Sequence, residues 1–264
     1  MQSILLEFSI AAAAIVAEFA YGAWLLNLPA PQLKARGYEV IYGALESCVA
    51  GAILAAILVW APTALRALGI GFVSPGAALE SYAAARDRYV KYAVDLALVA
   101  RDLTLTGVLA PLATTWYASS GLANLFTGYL AALSSALLVA SRTCLVLGPS
   151  LMSLGIVLAG VSRLRRLGAT LAISIACLEV VAGALAPYFA ANAASLRFKY
   201  AGVPLSGIAQ YFAGAVNDVL EDVKLMGEFS AWVSLAIGLA AAVSAGLSLA
   251  LGGLPETLVS RLRA

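Results

Sequence analysis

The amino-acid sequence predicts an all-α protein: a polytopic transmembrane helical bundle of about seven spans, with a long charged helix extending from the third. Three observations predict it. Of 264 residues, 62% are hydrophobic and 11% charged, against about 25% charged in an ordinary globular domain. Apolar runs of roughly 20 residues, enough to cross a bilayer core as a helix, recur along the chain. Short stretches holding Pro, Gly, Lys and Arg separate them. Such a chain has too little polar surface to cover a soluble core, so the excess is expected to face lipid. The chain reads as a single integral membrane domain over 1–264.

The first span falls at residues 4–27. It lacks a basic leader and carries Glu7 and Glu18, so it reads as a retained span and not a cleaved signal. Residues 28–37, with Pro29, Pro31, Lys34 and Arg36, turn the chain into a second span at 39–60. Pro62, Gly69, Gly71, Pro75 and Gly76 mark a connection. Residues 77–94 are helical in period but charged. Glu80, Asp87, Lys91, Asp95 and Asp102 follow at steps of seven, four, four and seven, which puts them on one stripe of a helix. Asp87–Lys91 and Lys91–Asp95 support each other at four-residue spacing. This helix leads into a third span at 95–117.

Residues 121–161 are about twice too long for one crossing. They divide into spans at 121–141 and 143–161, with Arg142 and Gly148–Pro149 as break points and the turn placed at 141–143. Arg163, Arg165 and Arg166 form a basic loop before a sixth span at 168–190. A polar connection, 191–228, precedes the last span at 229–251, and Arg261 and Arg263 close the chain. Residues 204–226 are amphipathic. Leu205, Ile208, Phe212, Val216 and Val219 form an apolar stripe suited to docking within an assembly, and Asn217, Asp218, Glu221 and Asp222 fall opposite. The acidic face argues against anionic lipid or nucleic acid as its direct ligand.

Lysine and arginine in short loops set orientation. Seven spans put Lys34, Arg36 and the two later basic clusters, Arg163–Arg165–Arg166 and Arg261–Arg263, on one side, read as cytoplasmic. The N-terminus is then outside the cell membrane and the C-terminus inside. Gly128, Ala132, Ala136 and Ala140, and likewise Gly238, Ala242 and Gly246, recur every four residues, a spacing that lets membrane helices approach closely.

Ionisable groups within spans cost at least ~2.5–3.5 kcal/mol at mid-bilayer and usually face protein or water. Glu46, Asp95, Asp102 and Glu179 are candidates for a buried charge network, with Arg101 and Arg142 as cationic partners. They either pair inside the bundle or line an aqueous path.

Several chemistries are excluded. The sequence has no histidine, which removes the commonest metal ligand and the ordinary Ser-His-Asp triad. It holds neither a P-loop motif nor H-E-x-x-H. Cys48, Cys144 and Cys177 are scattered in apolar runs and read as small core residues, not as metal ligands. Asp95 and Asp102 share one helix, which does not suit aspartyl catalysis. No catalytic residue, metal or cofactor is expected, and the chain is not expected to be an enzyme. Abundant arginine and small residues with few Gln and Asn suit a thermophile.

From Leu147 the chain reads LGPSLMSLGIVLAGVSRLRRLGATLAISIACLEVVAGALAP: a Gly-containing apolar span, an Arg-rich loop ending in RRLGA, and an apolar span closing in Ala-Pro. This stretch, about a sixth of the sequence, resembles the polytopic membrane subunits of conjugation-type (type IV) secretion systems. These include the TrbL-like subunits and, in particular, the crenarchaeal (archaeal) CedA-like DNA-import branch. Elsewhere the likeness is in span layout alone. The resemblance implies a membrane channel or platform for single-stranded DNA, driven by a separate ATPase and accompanied by small membrane subunits. It carries over no catalytic residue. A DNA path should present cations and aromatics; Arg88, Lys91, Arg101 and Arg142 are the candidates, with Trp116 and Tyr129 nearby in sequence. One protomer's spans do not enclose a wide pore, so a homo-oligomer or small partners are expected to complete the wall.

Two other readings stand. A secondary transporter or small-solute channel would converge Glu46, Asp102, Arg142 and Glu179 near mid-membrane. A non-conducting membrane scaffold would assemble through the 204–226 helix.

Overall fold

The computed structural model describes residues 2–67, 69, 71–105, 109–160, 164–204 and 206–262. Among these the protein is all-helical: α1 (Gln2–Leu26), α2 (Pro31–Ala67), α3 (Pro75–Leu105), α4 (Ala110–Val146), α5 (Gly148–Gly160), α6 (Arg165–Ser195) and α7 (Ile208–Leu262). Pro31, Pro75 and Pro111 sit in first turns, where a missing N–H costs nothing. Among the described residues, three stretches are long and apolar enough to cross a membrane: Pro111–Val146, Arg166–Ser195 and Ile208–Leu249. Ala12–Leu26 and Gly148–Ala159 are shorter apolar helices. Among the predicted site and loop residues, Arg163, Leu205 and Arg263 lie outside the described residues.

Three expected boundaries differ. Residues 95–117 are not one helix. α3 ends at Leu105, and the Leu109 carbonyl accepts the Leu112 and Ala113 amides at 2.9 and 3.2 Å to open α4. No turn forms at 141–143 either. α4 continues to Val146, and the bonds Leu147 N–Thr143 O and Leu151 N–Leu147 O, both 2.8 Å, carry helical pairing into α5. Pro149 withdraws only its own donor, and Arg142 is exposed, so nothing forces a reversal there. Finally, the 204–226 helix and the 229–251 span are one helix, α7, of 55 residues, about 80 Å long. Gly227 is the sole weak helix former at the junction and costs only about 1 kcal/mol.

The chain forms two compact units: Met1–Gly71, Thr143–Val181 and Gly238–Ala264 make the first; Phe72–Arg142 and Ala182–Ile237 make the second. In the first, α1 packs on α2 and α5, and α2 also packs on α5. Facing glycines set the α1–α2 and α5–α6 approaches. A Cβ added to Gly37 would lie 2.9 Å from the Gly22 carbonyl, and one on Gly155 would lie 2.8 Å from the Ala172 amide. Gly168 is tighter still against Ala159 and Gly155. Around this second contact Met152, Ile156, Ala169, Ala172, Ile173 and Ala176 form a core. The predicted stripes are not where the helices meet: a Cβ on Gly128, Gly238 or Gly246 finds nothing within 4 Å. High alanine content generates such stripes by chance.

The second unit is built on α3. Ala78, Tyr82, Ala85, Tyr89, Tyr92, Leu96, Val99 and Leu103 are all buried, at alternating steps of four and three, the 3.5-residue seam of helix-on-helix packing. Tyr82 donates to the Ala182 carbonyl at 2.7 Å, Tyr89 to Asn192 Oδ1 at 2.7 Å, and Trp116 Nε1 to the Leu96 carbonyl at 3.0 Å. Rings complete the core: Tyr82–Phe189 at 5.4 Å and Phe189–Phe229 at 5.0 Å, both edge-on. The predicted charge stripe does not stay on one face. Glu80, Asp87 and Lys91 are exposed, but Asp95 is buried, because two steps of four turn the helix about 80° toward the seam.

Gly155→Leu should overpack the α5–α6 crossing, costing roughly 1–3 kcal/mol and lowering the thermal midpoint of the detergent-solubilised protein. Gly238→Ala should leave that midpoint unchanged or raise it.

Candidate functional site at the α6–α7 connection

α6 ends at Ser195, whose hydroxyl folds back onto the Asn192 carbonyl at 2.7 Å. Residues 196–204 then run without helix, and the chain re-enters α7 through Gly202 and Gly207, both at positive φ (88° and 81°), where only glycine is unstrained. The Gly207 carbonyl accepts the Gln210 and Tyr211 amides at 3.1 and 3.0 Å. The segment alternates like an extended strand: Leu196 and Phe198 are buried, Arg197 and Lys199 exposed. Phe198 packs edge-on against Tyr92 at 5.9 Å and tilted against Trp116 at 5.5 Å.

Asp222 of α7 holds the segment down. Its fully buried carboxylate accepts the Arg197 amide at 2.9 Å and the Phe198 amide at 2.9 Å. These donors have lost their helical acceptors, and an anionic acceptor satisfies them strongly. Arg88 donates to the Leu196 carbonyl at 3.2 Å, and Arg197 pairs with Glu221. Tyr92 lies beside Asp222, yet its buried hydroxyl makes no well-formed hydrogen bond. Burial, then the Asp222 charge, pushes that phenol well above its ordinary range.

At the end of α3, Tyr200 donates to Asp102 Oδ2, and Arg101 donates to Asp102 Oδ1 from Nε and Nη2 at 3.1 and 3.0 Å. The Tyr200 hydroxyl first, then Arg101, holds the Asp102 carboxyl below the usual carboxylate range. Lys91 and Lys199 of the same unit are exposed as well, whereas Arg101 and Arg197 are paired with acids.

The predicted site residues divide. Arg88, Lys91, Arg101, Asp95 and Asp102 all lie on α3 in the second unit. Arg142 is on α4, 26 residues beyond Trp116, or about 39 Å along the helix. Since Trp116 meets α3 at Leu96, Arg142 does not reach Asp102, and no network joins the two. Glu46 and Glu179 are half-buried in the first unit. Ile208, Phe212 and Val216 are partly buried and Val219 is fully so. Phe212 lies 6.1 Å from Trp116, so this apolar face is used inside the chain's own unit. Asp222, expected on the polar face, is buried because the segment folds over it.

A second feature is an apolar groove lined by Leu125, Phe126, Tyr129, Gly227, Ser230, Ala231 and Ser234. Tyr129 and Ser234 share a 2.8 Å hydrogen bond at its wall. No titratable chemistry converges there, and among the described residues no three His, Cys, Asp or Glu side chains gather as metal ligands.

Asp222→Ala should release two amides at about 1–3 kcal/mol each, seen as faster hydrogen exchange in 196–204 and a lower melting temperature. Asp102 should stabilise the fold fully above the ordinary carboxylate pKa. That contribution disappears as pH falls through its depressed folded value. Tyr200→Phe should move the Asp102 titration midpoint upward, read from the side-chain carboxyl carbon by NMR. Compared with family models, curated proteins and solved structures, the chain finds no match.

Proposed function

We propose that the chain is a multi-pass subunit of a membrane apparatus that moves single-stranded DNA, working as several copies or with small membrane subunits and a separate ATPase. The observation that carries the subunit role is apolar surface in a charged setting. The second unit bears exposed ion pairs, Arg86–Asp87, Arg101–Asp102, Arg197–Glu221 and Lys224–Glu228. It also displays Leu122 and Leu125, the latter 70% exposed, beside the α4–α7 groove. Exposed charge calls for water, and apolar surface next to it calls for protein. DNA as cargo rests on the resemblance of residues 147–187 to the conjugation-type subunits. The exposed cations Lys91, Arg101 and Lys199 suit a phosphate backbone.

In this reading five stretches cross the bilayer: α1, α2, the run 143–160, α6 and the apolar half of α7; α4, though long and apolar enough to cross, packs on the charged α3 through Trp116 and is covered by protein. α3 is too charged to cross. Five crossings keep the parity of seven. Lys34, Arg36, the 163–166 cluster, Arg261 and Arg263 still fall on the cytoplasmic side, with the N-terminus outside. A solute transporter is less well supported, since Asp102 is engaged by Arg101 and Tyr200 and Arg142 is far from it.

Mild-detergent extraction followed by mass measurement should give several copies or co-purifying small membrane proteins; a lone protomer would sink the proposal. Neutralising Lys91, Arg101 and Lys199 to Gln should cut DNA retained by the purified complex roughly tenfold at fixed salt, with expression unchanged.

A further inference from the structure

The α1–α2 hairpin carries a pattern that the reading above does not use. The Gly22–Gly37 contact fixes the register of the two helices. It therefore levels Tyr21 and Trp24 on α1 with Tyr38 on α2. All three are exposed, Trp24 by 58% and Tyr38 by 56%, and Tyr21 stacks on Trp24 at 6.1 Å. Toward the turn, Lys34 lies four residues before Tyr38, about 6 Å along α2. Lys34 and Arg36 are both exposed. Glu39 is the nearby acid, so two cations face one anion.

The other end of α2 supplies an independent measure. Trp60 is 71% exposed and lies 22 residues beyond Tyr38 on the same unbroken helix, or about 33 Å. That matches the ~30 Å hydrocarbon core. Tyr and Trp collect at both faces of that core, their rings at the headgroup boundary. Cations one turn farther out reach the phosphates, and anionic lipids attract them by about 1 kcal/mol each.

We infer that the α1–α2 hairpin is an anchor for anionic phospholipid. Tyr21, Trp24 and Tyr38 sit at the boundary of one leaflet, Lys34 and Arg36 bind its phosphates, and Trp60 marks the opposite boundary. This rests on the reading that the first unit lies in the bilayer.

The test uses the full chain in vesicles of phosphatidylcholine and phosphatidylglycerol, with lipids brominated either near the glycerol or deep in the chain. Trp24 and Trp60 signals are taken as differences between the wild type and Trp24→Phe or Trp60→Phe. Leu239→Trp serves as a reference inside the apolar half of α7. The anchor requires both native signals to be quenched more by shallow than by deep bromine. Unquenched Trp24 with a quenched reference overturns the anchor and leaves the membrane reading standing; an unquenched reference sinks the membrane reading itself. In a second measurement, Lys34→Gln/Arg36→Gln should reduce phosphatidylglycerol retained through native mass spectrometry several-fold without changing retained phosphatidylcholine. Equal retention of phosphatidylglycerol would overturn the phosphate contacts.

Discussion

Backbone N–H and C=O groups decide what this chain can form. In an apolar surrounding each unpaired group costs several kcal/mol, and helices satisfy them locally. The described breaks therefore come with replacement partners. Where α6 stops, Asp222 takes the Arg197 and Phe198 amides. Where residues 71–74 run without helix, the Val73 amide finds the Gly183 carbonyl at 3.2 Å. Gly183 permits this because a Cβ there would lie 2.6 Å from the Val73 oxygen. Where no partner is supplied, the helix simply continues, as it does through Arg142 and through Gly227.

The two units solve packing differently. Lipid is as apolar as leucine, so burying leucine drives little association in a bilayer. The first unit uses close backbone approach at Gly22–Gly37 and Gly155–Gly168, a contact that would hold in lipid as well. The second unit uses large side chains with polar tips. Tyr82, Tyr89 and Trp116 each bury a ring and place their donor on a specific acceptor. Such groups combine apolar area with directional bonding, which suits a unit with exposed ion pairs at its surface.

Composition made the all-helical class and the presence of apolar membrane-length helices legible, and prolines in first turns marked where α2, α3 and α4 begin. The seam of α3 was written in the sequence as alternating steps of four and three from Ala78 to Leu103. The charges on the same helix drew attention to a stripe that drifts around it. Asp222 was not legible, because it belongs by period to the polar face of α7 and is buried only by a segment 25 residues away. The alternation Leu196-Arg197-Phe198-Lys199 was the available signal for that segment. Helix crossings were legible only as pairs. A glycine stripe becomes a contact when a second glycine faces it across a short turn, as Gly22 faces Gly37, and Gly238 has no such counterpart.

α7 changes character along its length. Glu221, Lys224 and Glu228 are exposed, and an isolated charge in hydrocarbon would cost several kcal/mol. One turn later Trp232 is exposed, followed by Leu235, Leu239 and Leu249, which in water would be an aggregation surface. Both conditions are met if water ends near Trp232, an indole being suited to that boundary. From Trp232 to Leu249 the helix rises about 26 Å, close to a full hydrocarbon core. α4 has part of this order: Tyr117 is exposed ahead of the exposed Leu122 and Leu125, without a charged turn before it. Lipid would satisfy the pattern on α7; α4 is also long and apolar enough to cross, and a protein neighbour would cover its exposed leucines equally well.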